Sequence, residues 1–317
     1  MKIMPGERKS NYLAGFGVFL TMAVLIIGIT GCGGCDQPPS QSLEIRTWYD
    51  LDAVRDNLSG NHKLMNDLDC TTDGYEELAS PTANAGKGWE PIGMNTQGGC
   101  GRFVGTLDGH GYEIRDMSIN RPERQDVGLF GVVGRKGVVG NIGALNVTVT
   151  GRLYVGGLVG SIYEGTVRDS YSTGSVIGNE YGVGGLVGYN GGTVSNCYAM
   201  GSVIGNCGVG GLVGSNYKGT VGDSYSTGSV AGNDHVGGLV GENGGTVLDS
   251  FWDMQTSGQA TSAGGVGKTT AEMRNIPTFR DAGWSIIAVG LNETDSACIW
   301  NIVDGETCPF LSWRSTI

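Results

Sequence analysis

Histidine, positive charge and long helix-forming stretches are all scarce in this chain. Its three histidines, His62, His110 and His235, stand far apart, and no metal site is assigned from them. Twenty lysines and arginines face 31 aspartates and glutamates, for a formal net charge of −11. Lys2, Arg8 and Lys9 against Glu7 give the first 31 residues +2, so the remainder carries −13. Such a surface repels nucleic acid and anionic membranes. No G-x-S-x-G nucleophile elbow occurs. Gly267-Lys268-Thr269 imitates a phosphate-binding loop, but Ser262 stands where the motif requires glycine. Glycine itself is plentiful, 59 of 317 residues, yet without a Gly-X-Y register, which excludes collagen. Val, Leu, Ile and Tyr recur at fixed places between the glycines, which a flexible linker would not need.

What is present is a hexapeptide that returns. Val-Gly-Gly-Leu-Val-Gly stands at 155–160, 183–188, 209–214 and 236–241, preceded by the looser Val127-Gly128-Leu129-Phe130-Gly131. The leading valines are 28, 28, 26 and 27 residues apart. A second phrase fills the intervals: GTVRDSYSTGSV at 165–176, GTVSNCYAMGSV at 192–203, GTVGDSYSTGSV at 219–230 and a truncated GTVLDSFWD at 245–253. Self-similarity of this period is the signature of a solenoid. Each unit holds short extended segments parted by glycine, none long enough for a stable helix. The expected fold is therefore all-β, a parallel β-helix-like solenoid with capping segments at both ends. Stacked units would align Leu158, Leu186, Leu212 and Leu239 in one column. Val167, Val194, Val221 and Val247 would form a second, and Tyr171, Tyr198, Tyr225 and Phe251 an aromatic third. Which hexapeptide residues point inward is left open.

The expected organisation is 1–31 signal peptide, 32–45 tether, 46–126 N-terminal cap and first strands, 127–255 repeats, and 256–317 C-terminal cap. Lys2, Arg8 and Lys9 precede the uncharged, apolar stretch 12–30, a secretory signal. Ile29-Thr30-Gly31-Cys32 resembles a bacterial lipobox, which implies lipid attachment at Cys32. An uncleaved membrane anchor is the rival reading. Gly33 replaces the aspartate that retains lipoproteins in an inner membrane, so outer membrane or cell surface is the expected location. In the N-terminal cap, Thr47 and Asp50 can cap a helix that places Leu51, Val54 and Leu58 on one face. Residues 62–68 read as a first strand, and 103–114, with Asp108-Gly109, as a tight hairpin. Thr269 or Thr270 should cap a helix from Thr270.

Cysteine usage fits export. Cys70/Cys100, Cys197/Cys207 and Cys298/Cys308 are candidate disulfides in an oxidising compartment, with zinc as the alternative. Asp169, Asn196, Asp223 and Asp249 share one repeat position. They read as turn caps or, alternatively, as a calcium row. Tyr163, Tyr189 and Tyr217 recur just after the hexapeptide. They would form either an exposed binding platform or packing between turns.

The GGLVG core followed by GTV-x-[DN]-[SC]-[YF] resembles the GLUG motif family over roughly residues 45–317, with the clearest repeats at 127–251. GTLDGHGYEI and FWDMQTSGQATSAGGVGKTTAEM look like companions of such arrays. The resemblance implies a bacterial surface protein, as in adhesins and the flanks of some immunoglobulin A proteases. Those proteases carry H-E-x-x-H, which no histidine here matches. The expectation is a non-enzymatic surface lipoprotein for adhesion or scaffolding, without cofactor, held to a membrane through Cys32 and meeting a surface glycan or protein. A carbohydrate-binding module and a polysaccharide lyase remain as alternatives. Arg168 has Ser195, Gly222 and Leu248 as repeat equivalents, so no basic row favours the lyase.

Overall fold

A computed structural model describes residues 42–96 and 99–314, all within one compact unit, Gln37–Ile317. The signal, most of the tether and Cys32 lie outside the described residues.

The chain winds as a parallel β-solenoid of about five turns with repeats of about 27 residues. On one face, Gln125–Val127, Leu153–Gly156, Tyr181–Gly184, Cys207–Gly210 and Asp234–Gly237 form a five-stranded parallel sheet. Val127, Val155, Val183, Val209 and Val236 stand in register across it. The remaining faces belong to one large sheet. There Val159 pairs with Val187, Val167 with Val194 and Tyr171 with Tyr198, and the same register continues to Val213, Val221 and Tyr225.

The hexapeptide resolves simply. Val155, Leu158 and Val159 all enter the interior, as do their equivalents in the next two coils. The glycines sit where backbone meets backbone. A Cβ on Gly184 would lie 2.1 Å from the Val187 carbonyl oxygen, so any other residue would force the turn apart. The leucine and valine columns are buried as the spacing requires, apart from Val247 in the last coil, which is partly exposed. Each fully buried aliphatic side chain contributes roughly 1.5–3 kcal/mol, and each depends on the coil beside it.

The interior is not wholly apolar. Asn190 and Asn216 are fully buried, and with Asn243 they form a ladder. Asn190 Nδ2 donates to Asn216 Oδ1 at 2.8 Å, and Asn216 Nδ2 to Asn243 Oδ1 at 2.8 Å. Each amide also reaches main chain, at Thr220 O (3.2 Å) and Thr246 O (3.3 Å). One coil earlier the position is Ile162. A second ladder holds Ser170, Cys197, Ser224 and Ser250, whose side chains donate back to the carbonyl two residues earlier.

At the N-terminal end, the helix Trp48–Asp52 begins with the expected capping box between Thr47 and Asp50, then tightens into a 3-10 turn, Ala53–Asp56. Trp48, Leu51 and Val54 seal the first coil. The expected hairpin at 103–114 is corrected. Thr106–Asp108 and Glu113–Arg115 each pair in parallel with the following coil, Leu107 with Val139 and Ile114 with Ala144. His110 and Gly111, at φ of 52° and 82°, turn the chain through a solenoid corner instead of reversing it. The parallel stack satisfies both strands and buries Leu107 and Ile114.

At the other end, Val266–Lys268 adds a last parallel rung to Phe251–Asp253. Thr269 caps the helix Thr270–Met273 with a box closed by Glu272. The chain then leaves the end and covers a flank. Ile276–Arg280 and a small sheet of Ile286–Ala288, Trp300–Ile302 and Phe310–Leu311 lie over the aromatic column. Tyr171 and Tyr198 stack at 4.7 Å, Tyr198 and Tyr225 at 5.2 Å, both within 6° of parallel. Trp284 and Trp300 pack on Tyr225, and Trp313 stacks on Tyr171. The column thus belongs to a second core, shared between solenoid and C-terminal segment.

Candidate binding surface

Tyr163, Tyr189 and Tyr217 do form a row. Ring centroids are 5.3 Å apart for the first pair and 6.2 Å for the second. The first pair is tilted by 37° and the second is stacked at 26°. The rings touch from coil to coil and line a groove. Tyr217 is 51% exposed, because the next coil offers only Gly244 at its level. Together with Arg102, Arg135, Glu164 and Lys218 they line a groove of about 530 Å³. The Arg102 guanidinium lies 4.5 Å over Tyr163, and the Lys218 ammonium 5.2 Å from the Tyr217 ring. Such contacts hold cations beside aromatic rings. Arg135 reaches Glu164 at 3.5 Å. Three cations against one carboxylate make the groove a basic island on an acidic chain. Burial, with the charge of Asp126 behind it, pushes the Tyr163 phenol up to about 12, so it remains a neutral hydrogen-bonding group.

The row Asp169, Asn196, Asp223 and Asp249 marks a corner. All four have left-handed backbone, φ 49°, 52°, 47° and 42°. Asp and Asn tolerate this region better than most residues, which accounts for the repeat. Asn196 Nδ2 donates to Asp169 Oδ1 at 3.0 Å, and Arg168 pairs with Asp169. His110 bonds Asp108 at a corner, as a hairpin polar residue would. Lys268 packs over Phe251 and Thr269 caps a helix, which explains the phosphate-loop imitation.

The expected disulfides are not formed. Cys70, Cys197, Cys207, Cys298 and Cys308 are free thiols. Cys70 is exposed and makes no bridge to Cys100. Cys197 pairs in register with Ser170, and its Sγ donates to Ser195 O at 3.1 Å, so it fills a serine position in the buried ladder. Cys207 lies in the five-stranded sheet on another face; ten residues of solenoid carry the chain around a corner. Cys298 lines a groove beside Asp169 and Trp313, whereas Cys308 lies against Tyr198 and Tyr225. Burial raises the Cys197 and Cys308 thiols well above the ordinary range, which makes both poor nucleophiles.

Two features escaped the sequence reading. The asparagine ladder was signalled by Asn at 190, 216 and 243, each the fourth residue of a strand that opens Val-Gly and follows with one variable residue. The meeting of Cys207 with His235 was signalled by their 28-residue separation, one coil apart.

The GLUG motif matches residues 151–177 and 179–204. Residues 151–204 thus carry two adjacent GLUG repeats. Among curated relatives, halomucin from Haloquadratum walsbyi is 38% identical over 154 residues, 47% of this chain and 2% of its own length. A provisionally named Gly-rich membrane protein from Evansella cellulosilytica is 40% identical over 124 residues, 38% of this chain and 13% of its own. The chain thus spans only a small part of either relative. A crystal structure of a candidate immunoglobulin A1 protease from Bacteroides ovatus superposes over 69% of this chain and 68% of that one. With 20% identity and a TM-score of 0.48, that likeness bears on neither fold nor function.

Proposed function

We propose that this GLUG-repeat chain is an exported surface protein, lipid-anchored at Cys32, whose solenoid displays the tyrosine groove for adhesion or scaffolding. The carrying observation is the groove itself. The tyrosines stand in a row, and Arg102, Arg135 and Lys218 gather three cations beside the single carboxylate of Glu164 on a chain of net charge −11. A polar, anionic ligand suits these three cations better than a neutral sugar does. The names of the two relatives, a mucin-like name and a membrane protein, agree with a surface location. Outer-membrane placement rests on Gly33 following Cys32.

Non-enzymatic action is part of the proposal. Arg168 aligns with Ser195, Gly222 and Leu248, so the corner that carries the acidic row has no matching basic row for uronate chemistry. Carbohydrate binding is the second reading, favoured by the half-exposed face of Tyr217. The test is a glycan array with neutral and acidic members, read for the wild type and for Tyr217→Ala combined with Arg102→Ala. Binding to acidic members that drops at least about tenfold in the double variant supports the groove. Equal binding by both proteins, or release of unsaturated sugar products, overturns it.

A further inference from the structure

Cys207, Asp234 and His235 come together on the five-stranded face. Cys207 pairs in register with Asp234 across neighbouring strands. Cys207 Sγ lies 3.8 Å from Asp234 Oδ2 and 3.7 Å from His235 Nδ1, and those last two atoms are 2.9 Å apart. We infer that these three atoms form a surface site for a borderline-soft divalent metal, zinc by preference, with an open fourth position.

The triangle has the right size. Tetrahedral zinc with sulfur at about 2.3 Å and nitrogen or oxygen at about 2.0–2.1 Å separates its sulfur and nitrogen ligands by roughly 3.5 Å. The two sulfur separations, 3.7 and 3.8 Å, exceed that by a few tenths of an ångström, and the 2.9 Å between Asp234 Oδ2 and His235 Nδ1 falls about 0.4 Å short of the roughly 3.3 Å expected for those two ligands. The donor set selects the metal class. Thiolate and imidazole favour zinc over calcium or magnesium, which prefer oxygen. Thiolate and carboxylate together balance the ion's two positive charges. Binding displaces the Cys207 S–H proton to solvent, with no change of oxidation state.

The fold shows how the site arises. Asp126, Tyr154, Gly182, Gly208 and His235 occupy the second position of the five successive strands of this sheet, all with left-handed backbone. At Gly208, the Tyr181 ring from the coil before covers the space a side chain would need, with a Cβ only 3.1 Å from it. One coil on, Cys207 replaces that ring, and the small thiol leaves room for His235 to stand beside it. Glycine is therefore dispensable at 235, and the residue there is a metal ligand.

The full chain, reduced and metal-free, should bind zinc in equilibrium dialysis. Cobalt(II) in its place should show a thiolate charge-transfer band and the intense visible bands of tetrahedral coordination. Cys207→Ser, with its far-UV circular dichroism unchanged, should lose the thiolate band and one equivalent of zinc. His235→Ala and Asp234→Asn should each weaken binding, whereas Cys70→Ser and Cys298→Ser should leave it intact. In the wild type, zinc should slow alkylation of Cys207 by about tenfold or more, because a metal-held thiolate is no longer a free nucleophile. A cobalt spectrum identical in wild type and Cys207→Ser, or alkylation of Cys207 at the same rate with and without zinc, would overturn the site. Both readouts are independent of ligand binding at the tyrosine groove.

Discussion

Replacing Asn216 with alanine removes the centre of the buried amide ladder. Its side chain donates to Asn243 Oδ1 and Thr246 O and accepts from Asn190 Nδ2. A net hydrogen bond contributes about 0.5–1.5 kcal/mol, so three give roughly 1.5–4.5. Asn190 Nδ2 keeps Thr220 O, and Asn243 Oδ1 keeps the Gly245 N–H at 3.1 Å, so neither is wholly orphaned. The expected loss is therefore about 3 kcal/mol, including a small cavity, with a midpoint drop of roughly 6–12 °C in a chain of this size. Asn216→Asp sharpens the test. A carboxylate there would face two acceptors and have no donor except Asn190, so burial would lift its folded-state pKa above the unfolded value. Below the unfolded value both states are protonated and the charge penalty is absent. It then grows as pH rises toward the folded-state value. Chemical denaturation followed by far-UV circular dichroism at pH 4 and pH 7 measures both. Asn233→Ala is the control: its side chain bonds Asn206 Oδ1 at 2.9 Å, but on the surface. A loss at Asn216 no larger than at Asn233, or an Asn216→Asp variant indifferent to pH, would refute the ladder as a structural element.

Cys197→Ser should change stability by less than about 1 kcal/mol, since serine already fills that position in three neighbouring coils, at 170, 224 and 250; a loss of several kcal/mol in denaturation would point to a bridge instead. His62 is 1% exposed, and burial lowers its pKa. Its neutral form is the folded one, so stability should fall as pH drops below about 6.5, where the unfolded chain takes up the proton first. His62→Gln should flatten that limb of the pH–stability curve, and an unchanged limb would dismiss His62 as its source. Cys32→Ser should abolish metabolic incorporation of labelled fatty acid and release the chain from the membrane fraction. Retained label would locate the lipid elsewhere.

Much of the architecture was legible because it is repetitive. The valine spacing announced coils, and the columns of leucine and tyrosine followed from stacking alone. Capping boxes at Thr47 and Thr269 were readable from four residues each. The misread parts needed information that no local window holds. Asp108-Gly109 is a hairpin signal in isolation, but Leu107 and Ile114 gain more by joining the parallel stack. Cys197 and Cys207 look like a loop clip until the corner between them is known. That residues 269–314 cover a flank and not only the end was invisible because nothing in those residues repeats; Trp284 and Trp300, with Pro309-Phe310-Leu311, showed only that a bulky apolar cover was there. The tyrosine groove was legible as a row, but not the cations of Arg102 and Arg135, which enter from earlier coils.

The in-register stack is tested most directly by a distance between equivalent positions. Asn120 pairs with Thr150, Thr150 with Ile177, Ile177 with Ile204 and Ile204 with Ala231, so Asn120 and Ala231 lie four coils apart on an exposed edge. Spin labels attached there through unnatural side chains, which spare the native thiols, report the separation by pulsed electron resonance. Four steps of about 4.8 Å predict a backbone separation of about 19 Å and a narrow distribution. A broad distribution, or a mean well beyond what the label arms add to that value, would contradict the solenoid.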